Sequence, residues 1–153
     1  MAQTVLDGVD EVRTAVGRHL GHSEWIVVDQ DRVDRFALAT GDGQWIHVDV
    51  ARAEAESPFG GPVAHGLLVL ALTNLFLPQI VEVRGFAMGV NYGLDRVRLP
   101  APVAVGSSVR GGAELAAVDD VAGGIQTTMT VTVEVDGGSE PACVAQALSR
   151  YLF

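Results

Sequence analysis

The feature that most limits the fold of this chain is a long apolar run, GLLVLALTNLFLPQIVEV, at residues 66–83. A helix that is apolar on nearly all sides is a buried helix. At 1.5 Å per residue the run predicts a central helix of about 25 Å. A membrane span is the alternative, and it is disfavoured because the run is interrupted by polar residues and a proline. These interruptions are Thr73, Asn74, Pro78, Gln79 and Glu82.

The second half of the chain alternates with a period of two residues, which predicts antiparallel strands packed against this helix. Residues 86–94 alternate until the phase slips by one, as at a β-bulge. Residues 109–118 alternate weakly and residues 125–135 clearly, and the following Asp-Gly-Gly predicts a hairpin turn. The alanines of residues 141–152 permit a helix, but the turn favours a returning strand.

The first half of the chain predicts three short helices. One covers residues 9–16, the second runs from an Asp29 cap to Gly41, and the third runs from Asp49 to the residue before Pro58. Helices followed by strands are typical of an α+β domain. Because no linker or repeat divides the sequence, residues 1–153 are expected to form one domain.

Composition excludes several classes of function. The chain has 10 Lys+Arg, all of them arginine, and 19 Asp+Glu, so its net charge of −9 disfavours nucleic-acid binding. The single cysteine, Cys143, cannot form an internal disulfide and is expected to be a packed apolar group. His19 and His22 lie three residues apart, but no carboxylate or thiol pattern accompanies them, so no metal is expected. No signal peptide is visible, which predicts a cytoplasmic protein.

The first candidate site is a glycine-containing loop between the second and third predicted helices. Asp42 and His47 lie five residues apart on the segment TGDGQWIH, close enough to converge on one small molecule. A carboxylate and an imidazole together can position and activate a water. The simpler interpretation is that Asp42 caps a turn and His47 donates a hydrogen bond to a backbone carbonyl.

The second candidate site is the segment GGPVAHG, residues 60–66, which leads into the apolar run. The first amides of a helix have no partner inside that helix. The Gly66 N–H, supported by the helix dipole, is therefore available for a carbonyl oxygen or an oxyanion. The simpler interpretation is that the glycines and the proline only shape the entry to the helix.

Together the two segments resemble the MaoC-like dehydratase family. The shared pattern is F-x3-T-G-D-x4-H at 36–47, A-H-G at 64–66 and V-R-L-P-A-P-V-x2-G at 97–106. The pair QW at 44–45 and the triplet NYG at 91–93 are most similar to the NodN-like branch of this family. The resemblance implies a hot-dog fold, in which an antiparallel sheet of five or six strands wraps around one long helix, and it implies a homodimer.

The resemblance also implies an activity and the residues that carry it. Members of the family hydrate trans-2-enoyl thioesters reversibly to (3R)-hydroxyacyl thioesters, and the acyl carrier is coenzyme A or a carrier protein. Asp42 and His47 would be the catalytic pair, with Asp42 the favoured base, and the Gly66 N–H would bind the thioester oxygen. Asn74 would orient Asp42, or else cap a backbone group, and His65 would shape the loop.

No metal, cofactor or membrane is implied, since coenzyme A enters only as part of the substrate. Two alternatives stay open: an acyl-CoA thioesterase on the same fold, and a non-catalytic module that binds acyl thioesters. Gln44 and Trp45 replace the Asn-Pro of many relatives, which makes the length of the acyl chain uncertain.

Overall fold

The computed structural model describes residues 2–153. In chain order its elements are β1 (Thr4–Asp7), α1 (Gly8–Thr14), β2 (His19–His22), β3 (Ile26–Val27), α2 (Gln30–Thr40), α3 (Trp45–Val48), α4 (Val50–Glu56), α5 (Gly66–Ala71), α6 (Thr73–Ile80), β4 (Val81–Arg84), β5 (Met88–Arg98), β6 (Ser108–Val121), β7 (Gly124–Val135) and β8 (Cys143–Leu152).

A six-stranded antiparallel sheet forms the larger layer. Its order is β2-β6-β7-β8-β5, and β3 extends it by pairing with β6. The predicted turn is present, with the Gly138 N–H donating to the Val135 carbonyl. The segment after that turn is the strand β8, as the turn predicted. The expected α+β architecture, a long antiparallel sheet against a buried helix, is therefore confirmed.

The central helix lies against this sheet, and a small residue on β6 lets it approach closely. Phe76 of α6 is fully buried. A Cβ placed on Gly111 of β6 would lie only 2.6 Å from the Phe76 Cβ. The helix thus contacts the sheet at a glycine of β6, which has no side chain. The apolar core continues from there through β7 and β8.

The predicted single helix over residues 66–83 is wrong in two respects. The helix is interrupted at Leu72, and it ends at Ile80. The Thr73 hydroxyl donates to the Leu70 carbonyl, a bond that bends helices, and Pro78 lacks the N–H that would continue the hydrogen-bond ladder. Within residues 2–153, no helix is both long and apolar enough to cross a bilayer.

Residues 81–84 form a strand instead of the last helical turn. β4 pairs in parallel with β1, so the N-terminal segment and the end of the central helix form a separate two-stranded sheet. The first helix, α1, ends at Thr14, which is earlier than predicted. Gly17 does adopt the left-handed conformation, and its N–H bonds to the Leu115 carbonyl on β6.

The helices that carry the first candidate site follow their predicted caps. Asp29 accepts from the Arg32 N–H at the start of α2, and Gly41 ends that helix in the left-handed conformation. Asp49 accepts from the Arg52 N–H at the start of α4, which ends at Glu56, ahead of Pro58. α3, a single turn between them, was not predicted.

Candidate active site

Asp42 lies just past the C-terminus of α2, where Gly41 turns the chain out of the helix. Its backbone N–H donates to the Thr40 hydroxyl at 3.3 Å, and that hydroxyl donates to the Phe36 carbonyl, so the end of the helix shapes the loop. The Asp42 side chain is exposed. Its carboxylate therefore remains accessible to a bound molecule.

His47 lies in α3 and is only 7 % exposed. Its Nδ1 is 2.6 Å from the Val63 carbonyl oxygen. A carbonyl can only accept, so Nδ1 carries the hydrogen and the lone pair of a neutral ring is on Nε2. The simpler expectation for His47, a bond to a carbonyl, is thus met, and the same bond leaves Nε2 free for chemistry.

His65 joins the two predicted segments. Its ring stacks on the His47 ring with centroids 3.9 Å apart and an interplanar angle of 28°. Its Nε2 donates to the Asp42 main-chain carbonyl at 2.9 Å. One ligand-type atom from each of Asp42, His47 and His65 lies within 4.8 Å of the other two. The structure thus brings Asp42 and His47 together, as their spacing predicted.

This cluster of two imidazoles and a carboxylate has the residue types of a metal site, but one nitrogen of each ring is already engaged in a hydrogen bond. A metal bound by histidine lies near the ring plane at about 2.0–2.1 Å from nitrogen. His47 Nδ1 donates to the Val63 carbonyl and His65 Nε2 to the Asp42 carbonyl, so neither of these two nitrogens has a lone pair for an ion. The chemistry that the cluster supports is hydrogen bonding and proton transfer.

Gly66 begins α5, and in the part of the chain described no oxygen accepts a hydrogen bond from its N–H. Gly66 and His47 line the same cavity, whose volume is about 360 Å³. The cavity wall is apolar and includes Phe59, Leu99 and Val69. A carbonyl oxygen inside this cavity can therefore reach a free amide and an imidazole.

Leu99 and Phe59 are residues of the cavity wall that were not predicted to belong to the site. A Cβ on Gly66 would lie 2.5 Å from the Leu99 Cδ1, so the leucine occupies the space that the glycine leaves open. The sequence signal for Leu99 is the motif V-R-L-P-A-P-V, because its prolines predict a turn directly after the strand. Trp45 is absent from the cavity wall and instead carries the Arg52 guanidinium over its ring at 4.3 Å.

Asn74 lies in α6 and is outside the cavity that His47 and Gly66 line. Its side-chain carbonyl accepts from the Asn91 amide on β5 at 2.8 Å, and none of the hydrogen bonds among residues 2–153 joins it to Asp42. The bonded pair separates two clefts between the central helix and β5, of about 410 and 370 Å³. Within the described residues of one chain, therefore, no hydrogen bond supports the predicted role of Asn74 in orienting Asp42.

The remaining candidates fall outside the cavity. Cys143 is buried, as expected of a packed apolar group, and burial raises the pKa of its thiol. The His19 and His22 rings lie 4.7 Å apart on β2, and His22 Nε2 is 3.7 Å from a Glu134 carboxylate oxygen. Burial lowers the pKa of His22.

A helix against an antiparallel sheet, with Asp42 and His47 together on the segment before that helix, defines a hot-dog protein of the dehydratase type. The MaoC-like domain model matches residues 11–137. This chain belongs to the MaoC-like domain family.

Two relatives agree with that membership, and a solved structure shares the fold. The chain is 46 % identical over 147 residues to 3-hydroxyacyl-thioester dehydratase Z of Mycobacterium tuberculosis, covering 95 % of this chain and 97 % of the relative. It is 47 % identical over 145 residues to nodulation protein N of Rhizobium leguminosarum bv. viciae, covering 94 % and 90 %. The R-hydratase PhaJ1 of Pseudomonas aeruginosa shares the fold, with a TM-score of 0.72, 20 % identity and coverage of 90 % and 81 %.

Proposed function

We propose that this protein is an (R)-specific enoyl-thioester hydratase, which adds water reversibly to trans-2-enoyl thioesters to give (3R)-hydroxyacyl thioesters. The observation that carries the proposal is the meeting of Asp42 and His47 within 4.8 Å, beside a cavity lined by His47 and Gly66. The name of the mycobacterial relative, a 3-hydroxyacyl-thioester dehydratase, describes the same reaction in reverse.

In the proposed mechanism Asp42 accepts a proton from water while the water oxygen bonds to C3 of the enoyl group. Electrons of the double bond move toward the thioester, whose oxygen gains negative charge and accepts a hydrogen bond from the Gly66 N–H. His47, protonated on both nitrogens, delivers a proton from Nε2 to C2. The proton on Asp42 then returns to His47, which restores both groups. Dehydration follows the same steps in reverse.

Each group has a definite energetic task in this mechanism. Acid and base groups placed in this way contribute about 10²–10⁴-fold each to the rate. A main-chain donor aimed at the developing oxyanion contributes about 10²–10³-fold. The Val63 carbonyl holds Nδ1 of His47, so the ring presents Nε2 alone for proton transfer. No cofactor takes part, since the carrier, coenzyme A or a carrier protein, is a portion of the substrate.

The test is an assay with crotonyl-CoA that follows the enoyl absorbance and free thiol together. Loss of absorbance without thiol is the expected result, and the product should be the (3R) isomer by chiral chromatography. Release of thiol would indicate a thioesterase instead, and no change in either signal would indicate a binding module.

Substitution at the two catalytic positions completes this test. Asp42→Asn and His47→Gln should each lower kcat by about 10²–10⁴-fold while the melting temperature stays close to that of the wild type. Asp10→Asn and His19→Gln are matched controls, because both residues are exposed and lie outside the cavity. Equal activity of catalytic and control variants would refute the site assignment.

We also propose that the protein is a homodimer that acts in the cytoplasm. Strand β5 lies at the edge of the sheet, and its apolar side chains are exposed. An exposed apolar edge strand pairs readily with a second strand, and a second copy of the same chain offers an identical edge. The exposed apolar residues of this strand are Met88, Val90, Tyr92 and Leu94.

Light scattering after size exclusion tests the dimer. Leu94→Lys on β5 should shift the protein toward the monomer, because a charged side chain disfavours edge pairing. Leu38→Lys is the matched control, since Leu38 is an exposed leucine on α2, away from the edge. A monomeric wild type, or equal shifts in both variants, would refute the proposed interface.

A further inference from the structure

His65 is the side chain that contacts both halves of the candidate site. It is 2 % exposed, lies directly before Gly66, stacks on His47 and donates to the main chain of Asp42. Phe36 of α2 also packs against it, with ring centroids 4.9 Å apart. A buried ring that contacts the His47 ring and the Asp42 backbone, and that directly precedes Gly66, restrains how these three residues lie relative to one another.

The hydrogen bond from His65 to Asp42 is the contact that restrains the acidic segment. Within the described chain, the other hydrogen bonds of residues 41–44 are local. They run from Gly41 to Ala37, from Asp42 to Thr40, from Gly43 to Gly41 and from His47 to Gln44. The bond of 2.9 Å from the His65 Nε2 is the one that joins this segment to a distant part of the chain. Without it, none of the described hydrogen bonds would connect residues 41–44, which carry the exposed Asp42 carboxylate, to the entry of α5.

The protonation state of His65 agrees with this role. Its partner is a carbonyl, so Nε2 carries the hydrogen and a neutral ring has its lone pair on Nδ1. That Nδ1 is buried and has no hydrogen-bond partner among the described residues. A buried polar atom without a partner is unfavourable. A phenylalanine would stack equally well without this disadvantage, so packing alone does not account for a histidine here.

From these contacts we propose that His65 is a positioning residue for the hydration reaction, acting through Asp42 and His47 rather than by touching substrate. The inference rests on the proposed function. Fixed placement of reacting groups is worth much of a catalytic rate, and a displacement of about 1 Å can cost about 10²-fold. The expected consequence of losing the donor is a fall in kcat with little change in KM.

The experiment separates the ring from the donor. His65→Phe keeps the ring and its stacking but removes the N–H, whereas His65→Gln keeps an N–H donor and removes the ring. His65→Phe should lower kcat about 10–100-fold with KM changed by less than about threefold. His65→Gln should recover part of that loss. His22→Phe is the matched control, because His22 also lies against a histidine ring, at 4.7 Å between centroids, but on β2 and away from the site.

Amide hydrogen exchange supplies a readout that does not depend on activity. In His65→Phe, exchange should speed up at residues 41–44 and stay unchanged in α2 and α6. Exchange that rises throughout the protein would indicate a structural role only and would overturn the proposal. Wild-type kcat and wild-type exchange in His65→Phe would also overturn it.

Two further results keep the test decisive. If neither variant folds, nitrogen NMR of the wild-type imidazoles decides: His65 should be protonated on Nε2, and protonation on Nδ1 instead would overturn the proposal. If the wild type hydrates no enoyl thioester, the proposed function fails, whereas hydrogen exchange at residues 41–44 still shows whether His65 restrains the Asp42 segment.

Discussion

The Gly66→Ala substitution tests how a substrate reaches the free main-chain amide. The new methyl group would lie 2.5 Å from the Leu99 Cδ1, well inside van der Waals contact. Leu99 is 43 % exposed and can rotate away. The helical backbone of Gly66 accepts alanine, which favours a helix by up to about 1 kcal/mol relative to glycine. The free energy of unfolding should therefore change by less than about 1 kcal/mol.

Activity should respond much more strongly than stability. The added methyl and the displaced leucine both occupy the cavity of about 360 Å³ that holds His47 and the Gly66 amide. We expect kcat/KM for crotonyl-CoA to fall at least about tenfold, or about 1.4 kcal/mol in the barrier. The upper bound is the loss of about 10²–10³-fold that accompanies removal of an oxyanion donor.

A second substitution shows whether Leu99 is the cause. Leu99→Ala removes the atoms that the new methyl would meet, so Gly66→Ala/Leu99→Ala should recover part of the lost kcat/KM. Leu99→Ala alone provides the reference for this double variant, and chemical denaturation of all three reports stability. Wild-type kcat/KM in Gly66→Ala would refute the view that substrate approaches the amide from this side.

Three other predictions concern the scaffold. Gly111→Ala should lower the free energy of unfolding by about 1–3 kcal/mol, because its Cβ would lie 2.6 Å from the Cβ of the immobile Phe76. Gly112→Ala, whose neighbours are histidine side chains at 3.0 Å or more, should cost less in the same urea titration. Burial raises the pKa of the Cys143 thiol, so a thiol reagent should modify it slowly until denaturant is added. Burial lowers the pKa of His22, so the unfolded chain binds this proton first and stability should fall as pH drops below about 6.5. His22→Gln should reduce that fall, measured from denaturation midpoints at several pH values.

Local signals predicted the elements that local chemistry controls. Asp29 and Gly41 mark the two ends of α2 because an aspartate accepts at a helix start and a glycine adopts the left-handed turn at its end. The phase slip in the first long strand corresponds to a shift of register between Asp95 and Arg98, where Arg96 has a φ of 51°. A second shift of register, between Asn91 and Gly93, was not predicted. The apolar residues keep their period of two across this position, so the sequence pattern shows no sign of the bulge.

Elements fixed by tertiary contacts could not be predicted from pattern alone. The sequence of residues 81–84 continues the apolar run, and its pairing with β1, more than seventy residues away, decides that it is a strand. Likewise, β2 is four residues long and contains a glycine, so pairing with β6 is what defines it. Local propensity is a weak guide wherever such distant pairing competes with it.

The same distinction applies to the site. Spacing on one loop predicted the approach of Asp42 and His47, and the helix start predicted the free amide of Gly66. The bond from His65 to the Asp42 carbonyl joins residues 23 positions apart, so no spacing rule points to it. Asn74 was placed beside Asp42 by resemblance, whereas its hydrogen bond to Asn91 depends on how close β5 lies to the helix.

The contacts of the site divide it into a rigid half and an adjustable half. Val63 bonds through both of its backbone groups, accepting from His47 Nδ1 and donating to the Ile46 carbonyl at 3.1 Å. Val63 lies three residues before Gly66, so these two bonds attach α3 and its imidazole to the segment that carries the free amide. Asp42 is exposed, and the hydrogen bond that connects its loop to the start of α5 comes from one side chain, His65. The carboxylate is therefore the group whose position depends most on one contact, and the rate of hydration should be more sensitive to His65 than the binding of the thioester is.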